Sequence, residues 1–279
     1  MTFELIRLRF HFRAAESLVF PPGKAANVLR GAFGMMLGKT ADALGYARIF
    51  APVAGTGPSG LADSPRPFVI RAAHLDDQTI PSGAAFHFDV HLFDLAAARR
   101  PLFVAAFARL AEDGLGPARA RAALISVEEQ NLAIALDGPA ESVSRICVQF
   151  LTPTELKSGQ QLVARPEFPV LFARLRDRIS TLRALYDNGP LEIDFRAMGE
   201  RAARVTLAHC DLTWHATKRR SSRTGQTHPI GGFTGQAEYQ AEYDGGLGEF
   251  LPYLRAGQWT GVGRQTVWGK GEICFQLCS

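Results

Sequence analysis

The feature that most constrains the fold is an order of strand-like and helix-like segments that occurs twice. The first half reads as strands at 2–13, 68–73, 84–93 and 118–129, with helices at 24–44 and 101–112. The second half reads as strands at 142–151, 203–214, 233–243 and 269–277, with helices at 168–186 and 248–255. Each half therefore has the order βαββαβ, which predicts an α+β protein of two tandem ferredoxin-like, RRM-like domains. We expect them at residues 1–138 and 139–279, joined near Gly138.

The first predicted strand has two chemically different faces. Its apolar and basic residues alternate, which places them on opposite sides of an extended backbone. The apolar set is Ile6, Leu8, Phe10 and Phe12, and the basic set is Arg7, Arg9, His11 and Arg13. The strand should bury the first set and present the second.

Composition limits the class of protein. The chain has 279 residues, of which 47% are hydrophobic, and a formal net charge of +4. No signal-peptide pattern or membrane-length apolar run occurs, so we expect a cytoplasmic protein that has no contact with a membrane. The cysteines lack C-x-x-C spacing and stand in apolar stretches, which favours reduced core residues over a zinc site or disulfides. They are Cys147, Cys210, Cys274 and Cys278.

Two segments have the composition of a nucleic-acid contact. The first is a basic loop, and the second is a glycine-rich ending in which tryptophans and cations alternate with glycines that let a backbone approach phosphate. A solvated loop and a tight turn are the structural alternatives. The candidate RNA-binding residues are Lys218, Arg219, Arg220 and Arg223 in the loop, and Gly261, Gly263, Arg264, Gly269, Lys270 and Gly271 in the ending.

Several motifs, in order, resemble those of the CRISPR-associated repeat-processing endoribonucleases of the RAMP (repeat-associated mysterious protein) superfamily. They span nearly the whole chain. The matching segments are Val28 to Gly34, Tyr46 to Phe50, Gly114 to Arg121, Phe150 to Glu155, Phe168 to Arg178, Gly231 to Tyr239 and the glycine-rich ending.

The resemblance implies two ferredoxin-like domains that bind CRISPR repeat RNA and cleave the precursor transcript into guide RNAs without a metal or other cofactor. In that reaction the ribose 2′-OH attacks the adjacent phosphate and leaves a 2′,3′-cyclic phosphate and a 5′-OH. An alternative is a non-catalytic RNA-binding subunit of an interference complex. Precursor guide RNA and other CRISPR-associated proteins are the expected partners, and the sequence leaves the oligomeric state open.

The chain departs from the family pattern at the catalytic histidine that many members carry in or after the first helix. No histidine occurs between His11 and His74. Lys39 and Tyr46 lie in the corresponding segment, and His11 shares the basic strand face, so these three are the candidate catalytic residues.

Two further patterns leave alternatives open. His87, Asp89 and His91 alternate along one strand and share a face, which is compatible with a divalent metal site and a metal-dependent hydrolase, or with an ordinary polar strand face. The helix at 168–186 carries four arginines that either follow an RNA backbone or lie on an exposed face. These are Arg174, Arg176, Arg178 and Arg183.

Overall fold

The computed structural model describes residues 1–52, 64–96, 99–116, 118–138, 141–216, 218–220, 227–229, 231–242 and 246–278. The elements of the first half are β1 (Thr2–Ala14), β2 (Leu18–Val19), α1 (Ala25–Thr40), α2 (Ala43–Phe50), β3 (Phe68–Arg71), a 3-10 helix (Ala73–Leu75), β4 (Thr79–Ile80), β5 (Ala85–Leu92), α3 (Arg99–Ala108), α4 (Leu110–Asp113) and β6 (Ala122–Ala135).

The elements of the second half follow the same plan with short additions. They are β7 (Arg145–Thr154), β8 (Lys157–Ser158), β9 (Gln161–Leu162), α5 (Phe168–Tyr186), α6 (Phe195–Ala202), β10 (Val205–His215), β11 (Lys218–Arg220), β12 (Thr227–Pro229), β13 (Gly232–Ala241), a 3-10 helix (Gly248–Phe250), α7 (Leu251–Thr260), a 3-10 helix (Thr266–Trp268) and β14 (Ile273–Leu277).

The two four-stranded sheets have equivalent topology. The first has the strand order β3-β5-β1-β6 and the second has the order β10-β13-β7-β14. Counted within each half, both orders are 2-3-1-4, and every neighbouring pair is antiparallel. This is the ferredoxin-like arrangement, so the predicted fold is confirmed. We propose the division at residues 138 and 139, because the first sheet ends at Ala135 and the second begins at Arg145.

The structure confirms the prediction that the apolar face of β1 is buried. Leu8, Phe10 and Phe12 pack into the first core with α1 and α3. Phe3 and Leu5 lie on the other side of the strand and join the core of the second half. The outer face of the first sheet is therefore apolar at one end, where it packs on the second half, and polar at the other.

Several predicted boundaries and environments need correction. The helix predicted at 24–44 ends at Thr40, because Ala41 is extended and Asp42 begins α2 by accepting a hydrogen bond from the Gly45 backbone N–H at 2.7 Å. The second region at 101–112 is divided between α3 and α4, and α6 was not predicted. Most of the predicted loop at 52–67 lies outside the described residues.

None of the cysteines is fully buried, although Cys210 packs against the core of the second half. All four thiols are free, as expected, but all four are only half-buried. Cys147 and Cys274 face outward from the second sheet, where each thiol lies near a glutamine side chain. They occupy strand positions whose neighbours point into the core, which is why an apolar sequence context was misleading. Within the described residues, no helix has the length and hydropathy of a membrane span.

Candidate functional site

A row of three histidines crosses the polar end of the outer face of the first sheet. His11 on β1 is opposite His87 on β5, and their ring centroids are 5.9 Å apart. His74, in the 3-10 helix that follows β3, stacks on His87 with ring centroids 4.6 Å apart. Its Nε2 lies 2.9 Å from the backbone oxygen of His87, so Nε2 donates this hydrogen bond. We call His11, His74 and His87 the histidine row.

Beside the histidine row, the same face of the sheet carries an ion-pair cluster of Arg7, Arg9 and Asp89. Asp89 accepts hydrogen bonds from Nε of Arg7 at 2.9 Å and from Nε of Arg9 at 2.7 Å. Burial alone would raise the pKa of Asp89, but the two guanidinium groups together hold it below its ordinary value. The carboxylate is therefore already neutralised by protein cations.

The metal hypothesis for His87, Asp89 and His91 is not supported. His91 is buried and bonded through Nδ1 to the carbonyl of Trp259, while Asp89 is held by arginines. Within the described ranges no group of three or more histidine, cysteine or carboxylate side chains has an arrangement that could hold a metal ion. Their shared strand face was correctly inferred, but alternation does not reveal which side chains are engaged elsewhere.

The end of α7 is held by cationic or imidazole side chains from both halves of the chain. Nη2 of Arg71 lies 3.4 Å from the carbonyls of Gln258 and Trp259, and Nε of Arg178 donates to the carbonyl of Thr260 at 3.0 Å. Positive groups are favourable at the negative end of a helix dipole. Burial lowers the pKa of Arg178 to about 9, and the nearby Arg71 adds to this effect. This contact fixes α7, and the glycine-rich segment that follows it, against the first sheet.

The glycine-rich segment is built by close contacts within the protein. The N–H groups of Gly261, Gly269 and Gly271 donate to the carbonyls of Gly257, Thr266 and Pro153, respectively. Three of the four candidate glycines thus have N–H groups that are already bonded, and Arg264 pairs with the buried Glu155.

Gly269 shows why this segment requires glycine. It has φ +79°, and an added Cβ would lie 2.4 Å from the Cβ of Ala26 on α1. Both the left-handed backbone and the close approach exclude a side chain. Gly269 therefore permits direct packing of the segment on the start of α1.

Lys270 is buried at this contact. Its Nζ donates to the carbonyl of Gly23 at 3.3 Å, and burial lowers its pKa, an effect that Lys24 increases and Asp76 opposes. Asp76 caps α1 by accepting from the N–H of Ala25 at 2.8 Å. A small polar cavity of about 20 Å³ lies here, large enough for about one water-sized group. We call this region, formed by Gly23 to Ala26, Asp76 and Gly269 to Lys270, the α1 junction.

Lys39 lies at the other end of α1. Its ammonium pairs with Asp113, which also accepts from Nε of Arg109 at 2.8 Å. Lys39, Asp113, Arg119 and the exposed Met35 line an open groove of about 290 Å³. The pair lowers the pKa of Asp113, with Lys39 the largest cause and Arg109 the next.

The structure separates the three candidate catalytic residues. Tyr46 on α2 packs on Phe50 and faces Gly38, next to Lys39. Residues 25 and 39 of α1 are about 21 Å apart at 1.5 Å per residue. His11 lies on the opposite face of the first sheet from α1, so it cannot share a site with Lys39 and Tyr46. It lies instead in the row that continues through His74 to the α1 junction.

The arginines of α5 are mostly structural. Arg176 donates to the carbonyl of Phe195 at 2.8 Å, Arg178 holds the end of α7, and the buried Arg183 donates to the carbonyls of Gly189 and Thr2. Arg174 pairs with Asp177 at 3.7 Å. These contacts favour neither an RNA-facing row nor a simply exposed face, because most of the guanidinium groups point at carbonyls.

The predicted basic loop contains a two-stranded ribbon. Lys218, Arg219 and Arg220 form β11, which pairs with β12. Arg223 lies outside the described residues.

Sequence reasoning missed His74, Asp76 and Glu128, whose Oε1 lies 3.0 Å from Nε2 of His11. Asp76 is more than fifty residues from Ala25 in the sequence, and His74 reaches the sheet face that carries His11 by stacking on His87. The alternation of both strands could have suggested two polar faces, but register could not be derived from it.

Two family models match consecutive parts of the chain. Residues 3–143 match AF_1859_N, an N-terminal domain, and residues 148–273 match the CRISPR-associated endoribonuclease Cas6. No curated protein matches the chain.

Solved structures show the same fold at low sequence identity. Thermus thermophilus Cas6 (TTHB231) is 16% identical over 99% of each chain, with a TM-score of 0.59. The Cas6 (TTHA0078) product complex is 18% identical over 98% of this chain and 99% of that chain, with a TM-score of 0.57. A partial Cas6-RT-Cas1–Cas2 complex is 12% identical over 99% of this chain and 46% of that chain, with a TM-score of 0.62.

Proposed function

We propose that this chain, in which residues 148–273 match the family model of the CRISPR-associated endoribonuclease Cas6, binds CRISPR repeat RNA and cuts the precursor transcript into guide RNAs. The proposed reaction is attack of a ribose 2′-OH on the adjacent phosphate, without a metal ion. It yields a 2′,3′-cyclic phosphate and a 5′-OH. The reaction needs a base for the 2′-OH, an acid for the leaving 5′ oxygen and cations for the phosphate.

The observation that carries this proposal is the meeting of three features at the start of α1. The glycine-rich segment packs there, Lys270 is held there with a lowered pKa, and the histidine row adjoins it through the 3-10 helix at Ala73–Leu75. Imidazole can exchange protons near neutral pH, whereas lysine and tyrosine ordinarily cannot. Of the three candidate catalysts, His11 therefore fits proton transfer best.

The exposed face of α1 leads from this junction to Lys39. Its solvent-facing positions include Gly31, Met35 and Gly38, and a Cβ added at Gly31 would meet no atom within 4 Å. A nucleic-acid backbone can approach closely where side chains are this small. We assign Lys39 and Arg119 to contact with RNA phosphate, and Tyr46 to support of the helix behind them.

In this proposal the glycine-rich segment supports the RNA-bound region through its shape and its positive charge. The bonded N–H groups of Gly261, Gly269 and Gly271 shape the segment. Lys270 and the basic ribbon around Arg219 supply positive charge. Other CRISPR-associated proteins are further proposed partners, in line with the Cas6-containing assembly to which the fold is similar.

A non-catalytic RNA-binding subunit is the second candidate. Lys39 already pairs with Asp113, and α1 has no histidine that could act beside it. This arrangement favours binding without cleavage if the histidine row takes no part.

One assay separates the two functions. Purified protein is incubated with end-labelled repeat RNA from the CRISPR arrays of its host, in excess EDTA, and cleavage and binding are measured on the same samples. Cleavage at one position supports the endoribonuclease. Tight binding without cleavage supports the subunit, and loss of cleavage in EDTA that returns with Mg²⁺ contradicts the proposed mechanism.

A further inference from the structure

We propose that His87 and His11 are the general base and general acid of RNA cleavage, and that Glu128 orients His11. This inference rests on the proposed function and names the groups that move its protons. It places the reaction on the polar outer face of the first sheet, beside the α1 junction, and not at the Lys39 end of α1.

The two histidines occupy directly opposed positions on the central strands. The pairing of His11 with His87 brings their ring centroids to 5.9 Å, so both rings can reach one phosphodiester group. The register of β1 with β6 shifts immediately after His11, where Ser126 pairs with His11 but Leu124 pairs with Phe12. Such bulges redirect side chains and are frequent beside active sites.

His11 has the surroundings of an oriented acid. Its Nε2 lies 3.0 Å from Oε1 of Glu128 on β6. This contact is close but lacks hydrogen-bond geometry, so the buried Nε2 has no hydrogen-bond partner among the residues that the structure describes. A nearby carboxylate orients an imidazole ring and determines which ring nitrogen faces it. Nδ1 of His11 is therefore the nitrogen left for the leaving oxygen.

His87 has the surroundings of a base. Burial, then the neighbouring His74 and Arg9, lower its pKa, so that the ring is neutral at pH 7 and able to accept a proton. Asp89 opposes this effect but is shared between two arginines. The charged or titratable groups facing the pair are Arg9 and Arg13 from β1, Asp89 from β5, Glu128 from β6 and His74 from the 3-10 helix.

The proton balance of the step is simple. His87 takes the proton of the 2′-OH while O2′ forms a bond to phosphorus. The bond from phosphorus to O5′ breaks, and the protonated His11 gives its proton to O5′. The protein ends with His87 protonated and His11 neutral, and exchange with water restores both. Neither an oxidant nor a metal is required.

The histidine row is continuous with the region that we propose to hold RNA. Ala73 and Asp76 line the small cavity beside Lys270, and His74 lies between them in sequence while its ring stacks on His87. An RNA strand that contacts the α1 junction can therefore continue onto the face of the first sheet that carries the histidine row. Lys24 and Lys270 lie at the α1 junction, where this proposed RNA path begins.

The test measures single-turnover cleavage of repeat RNA at saturating protein in EDTA, with RNA affinity measured separately. His11→Ala and His87→Ala should each lower the cleavage rate constant by at least about 100-fold, with affinity changed by less than about threefold. His209→Ala, at an exposed histidine of β10, is the matched control and should cleave like the original protein. His11→Gln and His87→Gln preserve more volume and replace any alanine variant that does not fold.

The pH dependence of the rate constant gives a second readout. The original protein should show a bell-shaped profile, and His87→Gln should lose its acidic limb, because protonation of His87 no longer removes the base. If the original protein cleaves while the histidine variants remain within threefold of its rate, the inference is wrong and the endoribonuclease function stands. If the original protein binds but never cleaves, both are wrong.

Discussion

His91 on β5 donates a hydrogen bond from Nδ1 to the carbonyl of Trp259, 2.9 Å away at the end of α7. The contact joins the first sheet to the second half of the chain. Burial, and then the nearby Arg71, lower the pKa of His91 to about 3. The neutral ring is therefore part of the folded structure, and acid should oppose this contact.

The first prediction concerns stability in acid. Between about pH 6 and pH 4 the unfolded chain binds a proton at His91 that the folded chain does not, so stability falls as pH falls. The contribution of His91 is about 1.4 kcal/mol per pH unit in this window and ends near its folded pKa. His91→Asn retains a donor for the carbonyl and should show a free energy of unfolding that falls less steeply. Parallel slopes in urea titrations at several pH values would contradict this assignment.

The second prediction compares two glycines of the same surface. Gly269→Ala places a Cβ against Ala26 in a left-handed backbone, and should lower the free energy of unfolding by about 2 to 4 kcal/mol. Gly31→Ala, in an open helical position of α1, should raise it by up to about 1 kcal/mol. Chemical denaturation measures both. Equal effects would show that Gly269 does not determine the packing of the segment on α1.

The third prediction concerns the Lys39 end of α1. Lys39→Ala should weaken RNA binding and reduce the dependence of log affinity on log salt by about one, because one phosphate contact is lost. The shape of the pH profile for cleavage should not change. Arg196→Ala is a suitable control, since Arg196 is also an exposed cation paired with a carboxylate, at 2.9 Å from Glu200. A Lys39 variant that binds normally but loses cleavage would instead make Lys39 catalytic.

The fourth prediction concerns the basic ribbon. Arg219→Ala should lower affinity for RNA and the salt slope while leaving the cleavage rate at saturation unchanged. Filter binding at several salt concentrations measures the slope. An unchanged slope would remove the ribbon from the RNA interface.

The sequence was sufficient for the fold because its signals were local and repeated. Alternation marked β1, and the apolar spacing of α5 predicted that helix at the bounds observed, Phe168–Tyr186. The break after Thr40 was missed because the helical pattern of apolar residues continues through it. Asp42 ends that continuity by capping the start of a separate helix, α2. Local pattern does not distinguish a helix from two helices with a shared apolar face.

The candidate site was less predictable, because its contacts join distant residues. His11 was identified from strand alternation, but its relation to His87 and Glu128 depends on the register of three strands. The glycines were recognised, whereas the protein carbonyls that occupy their N–H groups were not. Patterns identify chemical groups, and tertiary packing determines which of them remain available.

The most direct test of the central claim is the chemistry of the cut. Repeat RNA is incubated with the protein in EDTA, beside an RNA whose 2′-OH at the cleavage position is replaced by hydrogen, and the product ends are identified by mass spectrometry. We predict cleavage of the unmodified RNA alone, with 2′,3′-cyclic phosphate and 5′-OH ends. Cleavage of the 2′-deoxy RNA, or products with 5′-phosphate ends, would contradict attack by the 2′-OH.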